Sequence, residues 1–287
     1  MDKAILPKSR ADLDKMGTAL PKLCEEDLTL KVHRDPDVGE ILLGGMGETH
    51  LEVAAEKLTS KFGVEVMLDL PKVPYKETIN MSTQAEYKHK KQTGGHGQYG
   101  HVFLKLEPLP RGTGFEFTEK VVGGAVPRNY IPAVEKGVNE GKFEGILAGY
   151  PVVDVRVTLF DGSSHPVDSS EMAFKIASAQ ALKKGLAQAQ PVLLEPIVNL
   201  TITAPDNFTG DIIGDLNSKR ARVLGMIPSQ SHGVNTIEAQ APLSEVLRYA
   251  TDLRSMTQGR GTFKTTFSHY EEVPTLIAQK IIAQKKS

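Results

Sequence analysis

The sequence predicts an α+β protein of three small domains, and three observations carry that prediction. The order strand, helix, strand, strand, helix, strand runs through the first 70 residues, and the same order returns from residue 195. Between the two copies the order differs, so the middle is a separate α+β domain. Two β-α-β-β-α-β units imply two ferredoxin-like sandwiches, each with both helices on one sheet face. At 287 residues the chain is long enough to give each domain its own core.

In the first unit the pattern predicts a strand over 4–8, then a helix over 9–25 that Ser9 can N-cap. Strands over 28–34 and 39–44 follow, then a helix over 48–62 and a strand over 64–69. The second helix is the clearest, because Leu51, Ala54, Ala55, Leu58 and Phe62 recur at helical spacing with Glu48, Glu52 and Glu56 on another face. The second unit reads as strand 195–204, helix 209–221, strands 222–228 and 233–240, helix 242–255 and strand 262–269. Pro242 suits a helix start, where its missing N–H costs nothing. The two copies share little sequence, so the repeat is one of architecture.

The middle begins with a polar hairpin: Thr83 to Gln92, a Gly-rich turn, then Val102, Leu104 and Leu106 alternating inward. A short strand ends at Gly123-Gly124 and a helix follows over 129–140. The next strand has Val153, Val155, Val157 and Leu159 on one face, with Asp154, Arg156, Thr158 and Phe160 on the other. Asp168-Ser-Ser-Glu171 reads as a capping box, with Asp168 the N-cap of a long helix to about residue 188. Pro71 to Pro74 and Pro191 to Pro196 read as linkers, and Thr275 to Gln284 as a short terminal helix.

Composition excludes several classes. With 40% hydrophobic and 24% charged residues the chain is neither disordered nor fibrous. No apolar run approaches the roughly 20 residues of a membrane helix, and Met1 to Arg10 lacks the apolar core of a signal peptide. A formal charge of −1 argues against coating nucleic acid by charge alone and leaves room for local patches. Cys24 is the single cysteine, which rules out an intrachain disulfide and suits a reducing cytosol.

Two Gly-bracketed polar loops stand at strand ends, Thr93 to His101 and Asp161 to Glu171. Gly94, Gly95, Gly97 and Gly100 allow positive φ and close approach to a backbone, while His96, Gln98 and Tyr99 offer stacking and hydrogen bonds to sugars or base edges. Ser163, Ser164 and His165 offer the same from the second loop, His165 as donor, acceptor or cation. Lys88, Lys90 and Lys91 flank the first loop as candidate phosphate contacts. A serine hydrolase built on His165, Asp168 and Ser169 or Ser170 is disfavoured by their closeness in sequence. His96 and His101 lack the carboxylate or cysteine partners that a metal site needs.

Eight segments resemble translation elongation factor G in the same linear order. They are Gly45-Met-Gly-Glu-Thr-His-Leu-Glu52, Tyr75-Lys-Glu-Thr-Ile79, Gly94-Gly-His-Gly-Gln-Tyr-Gly-His101, Val122-Gly-Gly-Ala-Val-Pro127, Val167-Asp-Ser-Ser-Glu-Met-Ala-Phe-Lys175, Gly210-Asp-Ile-Ile-Gly-Asp-Leu-Asn217, Tyr249-Ala-Thr-Asp-Leu-Arg-Ser255 and Thr257-Gln-Gly-Arg-Gly261. The resemblance implies that residues 1–72 correspond to the family's third domain, 73–193 with 273–287 to its fourth, and 194–272 to its fifth. It implies for the fourth a fold shared with a small-subunit ribosomal protein, including an unusual left-handed crossover where general rules give a right-handed one. It implies a tip that enters the small-subunit decoding site behind the moving tRNA and mRNA, and a fifth domain docking at the large-subunit factor-binding centre. Arg220, Arg222, Arg254, Gln258 and Arg260 are then candidates for contact with ribosomal RNA.

No Gly-x-x-x-x-Gly-Lys-Ser/Thr loop occurs, so the chain is expected to correspond to the C-terminal portion of such a factor and to bind no cofactor or metal itself. GTP and Mg²⁺ would belong to the full-length parent, a cytoplasmic, monomeric translational GTPase. His96, Ser164 and Thr49 depart from the family's usual arginine, tyrosine and leucine, which leaves open a paralogue acting mainly in ribosome recycling or a slower translocase. A ribosomal-protection protein of the antibiotic-resistance type shares the architecture with different tip loops. A generic RNA-binding module is disfavoured by an aromatic content of 6% and no RNP-type strand.

Overall fold

The chain follows the predicted α+β order in the computed structural model, which describes residues 1–91, 97–228 and 233–286. It forms two compact units, Met1–Pro74 with Pro196–His269, and Tyr75–Glu195 with Tyr270–Ser287. The N-terminal portion comprises β1 (Asp2–Pro7), α1 (Arg10–Glu26), β2 (Lys31–Arg34), β3 (Ile41–Gly44), α2 (Glu48–Phe62) and β4 (Val66–Asp69). Its antiparallel sheet has the order β2-β3-β1-β4. Ser9 caps α1, its Oγ accepting the Asp12 N–H at 3.2 Å. The apolar stripe of α2 buries Leu51, Ala54 and Leu58 against Leu20, Leu23 and Leu43, and Gly63 ends the helix at φ +62°.

The strand expected from residue 28 starts only at Lys31, because Asp27 makes an Asx turn, its Oδ1 accepting the Thr29 N–H at 3.0 Å. His50 Nδ1 accepts the Met46 N–H at 3.1 Å, which leaves Nε2 as donor to Asp27 Oδ2 at 2.9 Å. Hydrogen bonds from Thr29 and then His50 hold the Asp27 carboxyl down to about 2. A folded value below the ordinary 3.8 means that this contribution is full above 3.8 and is lost as pH falls through about 2. Asp27→Asn is therefore expected to flatten the acid limb of unfolding between those two values, as followed by circular dichroism. An unchanged acid limb would remove Asp27 from the account.

The middle contains β5 (Lys76–Ile79), β6 (Thr83–Lys91), β7 (Gln98–Pro108), β8 (Phe115–Glu119), a 3₁₀ turn (Arg128–Tyr130), α3 (Ile131–Gly141), β9 (Val155–Ser163), α4 (Glu171–Gln188) and β10 (Pro191–Pro205). Its sheet has the order β6-β7-β9-β8, with β8 and β9 parallel and the other pairs antiparallel. Val102, Leu104 and Leu106 of β7 meet Val155, Val157 and Leu159 of β9 and the Phe174, Ala177, Ala181 face of α4. The two helices lie close: a Cβ on Gly137 of α3 would fall 2.2 Å from Ser178 Oγ of α4.

Three expectations need correction here. The N-cap of α4 is Ser170, whose Oγ accepts the Ala173 N–H at 3.2 Å, rather than Asp168. Ser170→Ala is expected to cost about 1 kcal/mol in chemical denaturation. Val153 and Asp154 precede β9: Asp154 is buried at φ +57° and its Oδ1 accepts the Gly114 N–H at 2.9 Å, so it sits on no polar strand face. Residues 191–196 form the start of β10 instead of an irregular linker, although the boundary between the two compact units, Glu195 to Pro196, does fall within them. β10 pairs with β5 from Pro191 to Leu194 and with β12 from Ile197, so Pro196 falls between these two registers.

The remaining elements are α5 (Thr209–Ser218), β11 (Arg222–Pro228), β12 (Val234–Pro242), α6 (Leu243–Val246), α7 (Tyr249–Met256), β13 (Thr262–Glu272) and α8 (Thr275–Lys286). The sheet order β11-β12-β10-β13 places second, third, first and fourth strands side by side, the same spatial order as in the N-terminal sheet. α5 stops short of residue 221 because Arg220 takes φ +56°. The helix expected over 242–255 is two helices, separated where Arg248 adopts φ −101°, ψ 6° and caps α7.

Candidate nucleic-acid interface

Strand pairing brings the two polar loops to one end of the Tyr75–Glu195 unit. β6 pairs with β7 through Lys91↔Gln98, Lys90↔Tyr99 and Lys88↔His101, and β7 pairs with β9 through His101↔Ser163. The Tyr99 hydroxyl lies 2.8 Å from Ser163 Oγ, and His101 Nδ1 lies 3.0 Å from the same oxygen. Asp168 laces the second loop to the first, its Oδ1 accepting the Gly97 N–H at 2.9 Å and its carbonyl accepting the Tyr99 N–H at 2.8 Å. A Cβ on Gly97 would stand 2.9 Å from the Asp168 carboxyl carbon and would push that side chain off its bond to the Gly97 N–H. Gly100 lets β7 lie on the first turn of α4, where a Cβ would stand 2.7 Å from the Ala173 backbone.

His165 is held by its own loop. Its N–H donates to Ser169 Oγ at 2.8 Å and its carbonyl accepts the Ser169 N–H at 3.2 Å. Nδ1 accepts the N–H groups of Val167 and Asp168 at 3.3 and 3.2 Å, so the neutral ring carries its proton on Nε2. The side chain remains 48% exposed, with its ring 6.0 Å from that of Tyr99. Lys88 Nζ stands 5.3 Å from the Tyr99 ring centroid, a cation–π contact at the edge of this surface. His165 Nδ1 is taken by backbone N–H groups and the ring makes no hydrogen bond to the Ser169 or Ser170 hydroxyl among the described residues, so the His165, Asp168 and serine arrangement is not a nucleophilic triad.

The other candidates fall in different places. Lys88, Lys90, Lys91 and Ser164 are exposed, while His89 turns inward at 7% exposure and its Nε2 meets Gln98 Oε1 at 3.0 Å. Gln98 thus spends its amide oxygen within the chain. Gly94, Gly95 and His96 lie outside the described residues. In the Met1–Pro74 and Pro196–His269 unit, Arg220 Nε donates to Glu245 Oε1 at 2.8 Å, and Arg260 stacks over Phe208 at 4.9 Å. Arg222 is exposed on β11, and Gln258 holds φ +52° after α7. Arg254 Nη2 donates to the Met46 carbonyl, and its guanidinium fills the space beside Gly47 that a Cβ would need.

Sequence reasoning missed the lacing role of Asp168 and the part played by Tyr130, whose hydroxyl donates to the Ser169 carbonyl at 3.1 Å while its ring stacks on Phe174 at 4.8 Å. Asp168, Ser169 and Ser170 are all good cap residues, and nothing in the order of types tells which one caps.

Family profiles cover nearly the whole chain: residues 1–69 match Elongation Factor G, domain III, residues 71–190 match Elongation factor G, domain IV, and residues 192–281 match Elongation factor G C-terminus. An elongation factor G-like protein of Thermotoga maritima is 50% identical over 284 residues, which is 99% of this chain and 41% of that protein. A crystal structure of a Thermus thermophilus protein matches with a TM-score of 0.86 at 45% identity, covering 100% of this chain and 42% of that one. The chain therefore spans about two fifths of the length of these relatives.

Proposed function

The chain belongs to the elongation factor G family of translation elongation factors, and we propose that it is the portion of a ribosomal translocase that enters the small-subunit decoding site. The observation that carries this reading is the lacing of the two loops through Asp168, which presents Tyr99, Ser163 and His165 on one surface. His165 offers an Nε2–H donor whose direction is fixed by two backbone N–H groups, as recognition of RNA edges and 2′-hydroxyls requires. Such a tip does no covalent chemistry. It occupies the space vacated by tRNA and mRNA, so the forward state is favoured by differential binding. The rest of the factor would supply GTP and Mg²⁺, and Arg222 with the fifth-domain region would face the large-subunit factor-binding centre. The partners in this reading are the ribosome, tRNA and mRNA, with the factor acting as a monomer in the cytoplasm. No helix among the described residues is long and apolar enough to cross a membrane.

A second reading, a paralogue acting in ribosome recycling, is favoured by the elongation factor G-like relative and by the departures at Thr49, His96 and Ser164. One experiment separates the two. Residues 1–287 are fused behind the GTPase and barrel domains of a known elongation factor G, and single-round translocation is measured beside ribosome-dependent GTP hydrolysis. Rapid translocation is expected; hydrolysis without translocation would replace the first reading with the second. The chain alone is expected to hydrolyse no GTP, since it carries no phosphate loop.

A further inference from the structure

Beside the laced loops the Tyr75–Glu195 unit contains a cavity of about 430 Å³ between the end of β8 and the start of α3. It is tied to the loops through the lining residue Val126 and through Tyr130, which stands in the chain between the lining residues Arg128 and Ile131. Val126 covers Gly162, where a Cβ would fall 2.4 Å from Val126 Cγ2, and Tyr130 donates to the Ser169 carbonyl at 3.1 Å. Gly123 and Gly124 form one rim at φ +70° and +71° in open space, so a bare stretch of backbone borders the cavity. Arg128 lines it and is exposed, and its guanidinium has no partner among the described residues. Glu119 lines it too: Oε1 accepts the Val121 N–H at 3.2 Å, and Oε2 has no partner among the described residues. Val121 and Ile131 supply apolar wall.

A cation and a carboxylate oxygen beside apolar wall match one unit of an RNA backbone, which brings a phosphate, a hydroxyl donor and a ribose face together. The volume suits a single unit, since ligand clefts run from roughly 300 to 1,000 Å³. We propose that this cavity is a third RNA-contacting element of the tip, in which Arg128 holds a phosphate, Glu119 accepts a ribose 2′-hydroxyl and Val121 with Ile131 packs on the ribose. The proposal rests on the tip reading above. It assigns the Val122–Pro127 loop an RNA-facing place, and Val122, 84% exposed, is its outermost apolar residue.

The test uses the 287-residue chain with Cys24→Ala, which leaves no other thiol. Val122→Cys and, separately, Ser164→Cys carry a short photoactivated crosslinker and are irradiated with ribosomes programmed with mRNA and tRNA. Both positions are expected to crosslink to RNA. Adding Arg128→Ala is expected to lower the Val122→Cys yield at least threefold and to make the salt dependence of log yield shallower by about 0.7 to 0.9 units, with Arg128→Lys keeping the slope. Crosslinks from Ser164→Cys to RNA, but from Val122→Cys only to ribosomal protein or to nothing, would overturn the cavity proposal and leave the tip reading standing. An Arg128→Ala yield equal to the parent's would also overturn it. No RNA crosslink from either position would remove the tip reading and this proposal together.

Discussion

Replacing Glu77 with alanine is expected to lower the unfolding free energy of the Tyr75–Glu195 unit by about 4 kcal/mol, a larger loss than a cap or a single exposed ion pair could produce. Glu77 is 1% exposed, and its carboxylate accepts three backbone N–H groups: Leu147 on Oε2 at 2.9 Å, and Ala148 and Tyr150 on Oε1 at 2.9 and 3.1 Å. Its main chain is engaged as well, the N–H donating to the Pro151 carbonyl and the carbonyl accepting from Val153, both at 2.9 Å. The alanine variant strands three donors in a nearly closed site, and each costs about 1 to 3 kcal/mol before any relief by water. Glu77→Gln separates charge from geometry. Its amide oxygen can still serve Ala148 and Tyr150, but its NH₂ then faces the Leu147 N–H, donor against donor, so a loss of about 2 kcal/mol is expected. Gly145→Ala should act at the same place, because the new Cβ would lie 2.4 Å from Glu77 Oε1. Peptide-resolved hydrogen exchange over residues 142–153 reads all three variants. A Glu77→Ala variant within 1 kcal/mol of the parent would refute the cradle account.

Glu77 also marks the limit of what the sequence discloses. A glutamate in Tyr75-Lys-Glu-Thr-Ile79 gives no sign of burial until the loop that closes over it is in place. The helical stripe of α2 was legible because its burial repeats every three to four residues. The paired β-α-β-β-α-β order was legible because each element is bounded by turn residues. The errors share one cause: a local signal with more than one satisfiable outcome. Pro191 and Pro196 signal a break, and the compact units do divide at Pro196, yet β10 runs on through both prolines because its β5 and β12 registers change over there. Valine alternation assigned Asp154 to a solvent face, yet its left-handed φ takes it out of the strand. At the tip the residue types were legible and their partners were not. Gln98 turns its amide oxygen to His89, and Arg254 turns to a carbonyl in the turn before α2, because each found a polar group that only the folded chain brings near.

In the fused translocase, His165→Ala is expected to slow single-round translocation roughly tenfold, the equivalent of about 1.4 kcal/mol, with ribosome-dependent GTP hydrolysis unchanged. That is the scale of one well-placed hydrogen bond in a water-poor contact. In the translocase reading proposed above the two loops also have to arrive pre-shaped, and the Asp168 variants isolate that requirement. Asp168→Ala deletes the acceptor for the Gly97 N–H while leaving the main-chain carbonyl that accepts from Tyr99, so one of two lacing bonds survives. A loss of about threefold follows if ordering the loop costs about 0.7 kcal/mol at each encounter. Asp168→Asn keeps an oxygen for Gly97 and removes the charge, and it should translocate at the parent's rate. Ser170→Ala is the control, since it weakens the N-cap of α4 without touching either lacing bond and should cost stability but no speed. If Asp168→Asn proves as slow as Asp168→Ala, the carboxylate acts through its charge, on RNA or on the His165 ring 3.4 Å away, and preorganisation of the loops is not what the residue supplies.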